Sequence, residues 1–232
     1  MAVMTLDKPT GVTNADGVAA YWAKDYRSAL AIFSELAAGG DAEAQVWLGS
    51  LYANGHGVTS SLQTALDWYR RASEQGHVQA QTNLGAMLVM GQGAPADFEQ
   101  GAIWLRKAAE QGDLYACFNL AALYGKGQGV PQDEAVAAQW YERAAAAGHY
   151  PAQARLGFMY ANGTGVEKSR VKAFVWLSLA AQHGVGNALK ALDGVVDQMS
   201  SDEKNDAFVM LDRFRGRVPQ DPGQLKLNPI PG

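Results

Sequence analysis

The side chains able to perform acid–base, nucleophilic or metal chemistry are few and scattered. The four histidines are His56, His77, His149 and His183, and no two share the i, i+4 spacing that sets paired imidazoles on one helical face around a metal. They read as solvated turn residues, and His77 and His149 stand in matching places 72 residues apart. Cys117 is the only cysteine, so there is no disulfide framework and no thiolate metal site. Without a histidine beside it, Cys117 reads as a plain thiol rather than a nucleophile. Gly-x-Gly steps at Gly55, Gly91, Gly127 and Gly163 share only their glycines with phosphate loops. No strand pattern precedes them, and no P-loop lysine or G-x-G-x-x-G follows. The basic column Arg71, Lys107 and Arg143 has Glu74 and Glu110 three residues beyond its first two members, which favourable helix-dipole and i, i+3 interactions explain. No catalytic residue, metal ligand or cofactor is assigned.

What must position any site is a tandem array. Trp68, Trp104, Trp140 and Trp176 stand 36 residues apart without an insertion. Gly57, Gly93, Gly129 and Gly165, then Gly76, Gly112, Gly148 and Gly184, keep the same count. Within Ala44 to Gly76, Ala44, Leu48, Leu51 and Tyr52 fall on one side of a first helix over about residues 42–53. The Gly49, Gly85, Ala121 and Gly157 column leaves room for a close neighbour, since glycine inside a helix is otherwise unfavourable. The paired glycines stop that helix. Ser61, Asp97, Asp133 and Ser169 then cap a second helix by accepting a backbone N–H. On its inner side the second helix carries Ala65, Trp68, Tyr69 and Ala72 and their copies. Each indole can bury about 150 to 250 Å², so the tryptophan column is expected to dominate the core, with Trp104→Ala costing about 3 to 5 kcal/mol.

The unit A-x-x-x-L-G-x-x-Y-x-x-G-x-G-V, a cap residue, then A-x-x-W-Y-x-x-A-x-x-x-G, resembles the Sel-1-like repeat, a relative of the tetratricopeptide repeat. Its Gly-x-Gly-Val loop and 36-residue period separate it from the 34-residue tetratricopeptide unit. The second copy departs mildly, with Leu88, Ala94 and Gly101 in place of tyrosine, valine and alanine. The resemblance implies an all-α fold, a right-handed α/α solenoid of stacked antiparallel helix pairs. The expected divisions are an N-terminal extension (1–14), a degenerate capping helix pair (15–41), repeats over 42–77, 78–113, 114–149 and 150–185, C-terminal capping helices (186–218) and a Pro/Gly-rich tail (219–232). Ser200 and Glu203 form a capping box that starts the last helix.

Function is expected where the repeat varies. The column set 43, 47, 50 and 54 of the first helices does not repeat, and stacked first helices line the concave side of such solenoids. Trp47, Met90, Tyr115 and Phe158 would supply apolar anchors, and Asn83, Asn119, Lys126 and Arg155 polar or charged contacts, to a protein or an extended peptide. The alternative for Trp47 is that it covers the joint with the N-terminal pair. A formal charge of -4 and a pI near 5.5 argue against nucleic acid, which needs a basic surface. No run approaches a membrane span, and Met1 to Lys24 lacks a secretory pattern, so a monomeric cytoplasmic protein is the default; a periplasmic one whose leader is missing would read the same. The expected function is a non-enzymatic adaptor. The alternative, which the resemblance to cysteine-rich relatives implies, is a binder or hydrolase of peptidoglycan fragments or β-lactams, although their paired cysteines are lacking.

Overall fold

The computed structural model describes residues 11–215. The expected tail over 219–232, and the N-terminal extension up to residue 10, lie outside the described residues. Within them there are twelve α-helices and no strand.

The chain divides into two compact units between Pro95 and Ala96. The first holds α1 (Asn14–Trp22), α2 (Tyr26–Ala38), α3 (Ala42–Asn54), α4 (Leu62–Glu74) and α5 (Val78–Met90). The second holds α6 (Phe98–Glu110), α7 (Leu114–Lys126), α8 (Glu134–Ala146), α9 (Tyr150–Asn162), α10 (Arg170–Gln182), α11 (Ala188–Val196) and α12 (Ser201–Arg215). Within each unit every helix packs on the next, except that α12 packs on α10. Short connections make consecutive helices antiparallel, because they leave no chain for a crossover.

The local signals act as their chemistry requires. Ser61, Asp97, Asp133 and Ser169 are the N-caps of α4, α6, α8 and α10, each side chain accepting a backbone N–H. Gly55, Gly91, Gly127 and Gly163 end the first helices in the left-handed conformation. At the C-terminal end Ser200 N–H donates to Glu203 Oε2 at 2.9 Å, and Glu203 N–H donates to Ser200 Oγ at 3.1 Å, closing the capping box.

The second glycine of each loop has a separate task. Gly129, at φ +68°, lies so close to the start of α6 that a Cβ would overlap the Phe98 carbonyl. In the first unit, a Cβ on Gly57 would stand 2.8 Å from the Tyr26 carbonyl oxygen at the start of α2. The loop thus clasps the preceding second helix, 31 residues earlier in the chain. A second clasp comes from the column before the buried leucines. Gln153 Nε2 donates to the Ala145 carbonyl at 3.1 Å and Gln81 Nε2 to the Ser73 carbonyl at 3.4 Å. Cys117 Sγ makes the corresponding weak bond to Ala109 at 3.7 Å.

The core is centred one residue away from the expected column. Trp68, Trp104 and Trp140 are only half-buried, whereas Tyr69, Leu105, Tyr141 and Leu177 are at most 8% exposed. Trp176 is the buried exception. The small column of the first helices explains the shift: a Cβ on Gly49 would meet the Tyr69 ring at 2.6 Å, and one on Gly157 would meet Leu177 Cγ at 2.7 Å. Tyr69 and Leu177, each the residue after a tryptophan, fill those notches, and Trp68 is left half-exposed. Arg71, Lys107 and Arg143 sit over the indoles of Trp68, Trp104 and Trp140 at 4.5, 4.0 and 4.6 Å from the ring centroids. The basic column is therefore a set of cation–π covers, and the large stability cost expected of Trp104→Ala moves to Leu105.

Candidate binding cleft on the second unit

In the first unit the variable stripe is largely consumed by packing. Trp47 is 6% exposed. Its ring stacks on Phe33 at 5.3 Å and lies tilted on Tyr21 at 5.0 Å, while Nε1–H donates to Glu43 Oε1 at 3.0 Å. It seals the joint with the N-terminal pair and is not the expected surface anchor; an indole flanked by two aromatic rings gains more there than in water. Asn83 is half-buried beside the hydroxyl of Tyr69, a phenol whose pKa burial pushes well up. Met90, 47% exposed at the end of α5, keeps an open position.

The second unit differs. Lys126 at the end of α7, and Arg155 and Phe158 one turn apart on α9, line a single cleft of about 460 Å³. Phe118 of α7 and Glu134 and Tyr141 of α8 complete its walls. Lys126 and Arg155 are exposed and form no ion pair with a described residue. Phe118 meets Tyr141 edge-on at 5.5 Å and His149 at 4.7 Å, so the aromatic floor is held by ring contacts. Tyr115 and Asn119 are half-buried and outside the cleft, Tyr115 standing edge-on to His149 at 5.3 Å.

Tyr141 is 8% exposed, and its hydroxyl has no hydrogen-bond partner among the described residues. Burial raises its pKa, the Arg155 charge opposes that rise and Glu134 reinforces it, so the phenol stays protonated and can donate at neutral pH. Sequence reasoning placed Tyr141 only in the core and passed over Phe118. The available signal was the column Val46, Thr82, Phe118 and Ala154, where one large ring interrupts smaller residues.

Of the histidines read as solvated turn residues, His183 is exposed at the end of α10, while His56, His77 and His149 are half-buried and have structural partners. His77 and His149 are the N-caps of α5 and α9, their Nδ1 atoms accepting from Ala80 N–H at 3.4 Å and Ala152 N–H at 3.2 Å. His77 Nε2 donates to Glu43 Oε2 at 2.9 Å, which helps hold the Glu43 carboxyl below its usual range. His149 has aromatic neighbours instead, and burial lowers its pKa to about 4. His56 stacks on Tyr26 at 4.4 Å, and His183 stacks on Tyr150 at 3.5 Å. Cys117 is buried and burial raises its pKa, the reverse of an activated thiol. Among the described residues no three metal-ligating side chains converge, and no helix is long and apolar enough to cross a membrane.

The architecture has relatives among solved structures. A Sel1 repeat protein from Oxalobacter formigenes is 30% identical, with a TM-score of 0.75 over 89% of this chain and 86% of that one. A protective antigen of uropathogenic Escherichia coli with the same type of fold, c5321, is 26% identical, with a TM-score of 0.54 over 82% of this chain and 49% of its own length. An immunity protein of Pseudomonas aeruginosa, Pa5087, shares the fold at 21% identity and a TM-score of 0.52, over 97% of this chain and 95% of that one. No curated protein matches the chain. The Sel1 repeat model matches residues 42–77, 78–113, 114–149 and 151–185. With most of its length in those four matches, and the helix pairs arranged as in a solved member, the chain belongs to the Sel1 repeat family.

Proposed function

We propose that this protein is a non-enzymatic scaffold that binds a peptide or a loop of another protein, with the α7–α9 cleft as its principal anchor point. Sel1 repeat proteins are generally protein-interaction scaffolds. The observation that carries the reading is the cleft itself: an aromatic floor of Phe118, Tyr141 and Phe158 beside the unpaired cations Lys126 and Arg155. Its volume of about 460 Å³ falls within the range of ligand pockets, and aromatic and arginine side chains are those that dominate binding energies at protein interfaces. Tyr115 and Asn119, on the same helix as Phe118 and Lys126, are assigned to the flank of the cleft.

Affinity capture from the native extract tests the reading, comparing the wild-type protein with a variant carrying Lys126→Ala, Arg155→Ala and Phe158→Ala. These positions are exposed or half-buried, so the helices should persist, which circular dichroism checks. Loss of the captured protein from the triple variant is expected; an identical captured set would overturn the assignment of the cleft.

A further inference from the structure

The cleft carries more chemistry than a hydrophobic anchor requires. Tyr141 stands fourteen residues before Arg155, as Tyr69 stands fourteen before Asn83. In the earlier pair the neutral asparagine amide stands beside the tyrosine hydroxyl. In the later pair no described group hydrogen-bonds the hydroxyl, although the tyrosine is more than nine-tenths buried. The ring is buried but the hydroxyl is not sealed from solvent, and Tyr141 lines an open cleft beside two cations that pair with no described residue.

Resting on the scaffold reading, we propose that the cleft recognises an acidic peptide, seating an internal Asp or Glu carboxylate against Arg155, Lys126 and the Tyr141 hydroxyl. The next residue of the peptide, a bulky apolar one, lies on Phe118 and Phe158. A carboxylate is the best match for this set. The planar arginine fork binds it bidentately, and a phenol O–H donates a charge-assisted bond to the same group. Glu134, on the same walls, penalises a phosphate dianion more than a single carboxylate.

The test uses three fluorescein-labelled peptides in a Gly-Ser background, with a Glu-Phe, a Gln-Phe or a phosphoserine-Phe step, measured by fluorescence anisotropy against the full chain. The Glu-Phe peptide should bind about tenfold tighter than its Gln counterpart, the usual scale of one charge-assisted contact set, and more tightly than the phosphoserine peptide. Arg155→Gln and Tyr141→Phe should each remove most of that preference. Phe158→Ala should weaken the Glu and Gln peptides alike. Tyr141→Phe keeps the ring on Phe118, so loss of preference there cannot be ascribed to collapse of the floor. Equal binding of Glu and Gln peptides, tighter binding of the phosphoserine peptide, or no binding of any peptide would overturn the carboxylate assignment. A captured partner that still depends on the cleft would leave the scaffold reading standing in each of those cases.

Discussion

Two tyrosines in equivalent places meet different fates. Tyr69 in the first unit has the Asn83 amide beside its hydroxyl, while Tyr141 in the second has Arg155 at that position and a hydroxyl without a described partner. The rings beneath are alike in being nearly fully buried. The repeat therefore fixes where an aromatic ring goes, and one edge residue decides what stands beside its polar end. The histidine caps repeat the lesson. His77 has the Glu43 carboxylate at its outer nitrogen, and His149 has aromatic rings.

What is shared should break alike in both units, and this is where the largest effects belong. Gly129→Ala forces a Cβ into the Phe98 carbonyl at positive φ, and should cost about 3 to 5 kcal/mol in urea denaturation. Gly57→Ala, whose Cβ would have 2.8 Å to the Tyr26 carbonyl, should cost somewhat less. A neutral result at either site would remove the clasp that makes the units comparable.

What differs should respond differently to acid. His149 has its folded pKa depressed to about 4, below the unfolded value of about 6.5. Its contribution is therefore fully present above pH of about 6.5 and lost as the pH falls towards about 4, by at most about 3 kcal/mol. His149→Asn, which retains a cap, should flatten stability over that window. Glu43 is also depressed, chiefly by its hydrogen bond from His77, so its contribution is present above the usual carboxylate range and lost only at lower pH. Glu43→Gln should leave the higher window untouched. Chemical denaturation between pH 3 and 7, run in steps of about half a unit, separates the two; a profile for His149→Asn that follows the wild type would contradict the account of the second joint.

Most of the scaffold was legible in the sequence because each signal was local and repeated. The caps Ser61, Asp97, Asp133 and Ser169 and the terminating glycines need only neighbouring backbone to act. The exact facing of a second helix is not local. Trp68 and Tyr69 are adjacent and both bulky, and it is Gly49, on another helix, that selects Tyr69 for the interior. The cleft was legible in part. Lys126, Arg155 and Phe158 were found because their columns vary, and the structure brings them together. For Trp47 the sequence left two readings, anchor or cover of the N-terminal joint, because its fate depends on Phe33 and Tyr21, which lie outside its own repeat. Tyr141 was hidden by belonging to the core column, although only its ring is needed there.

The contrast between the tyrosines rests on a hydroxyl with a neutral amide beside it in one unit and an arginine in the other. Urea denaturation of Tyr69→Phe against Tyr141→Phe measures it directly. Tyr69→Phe should lose about 1 kcal/mol, the net worth of a hydrogen bond to Asn83, and Tyr141→Phe should stay within about 0.5 kcal/mol of the wild type. Equal losses would mean that the Tyr141 hydroxyl is already bound within the fold, and the cleft would then have nothing to offer a carboxylate beyond its surface charges.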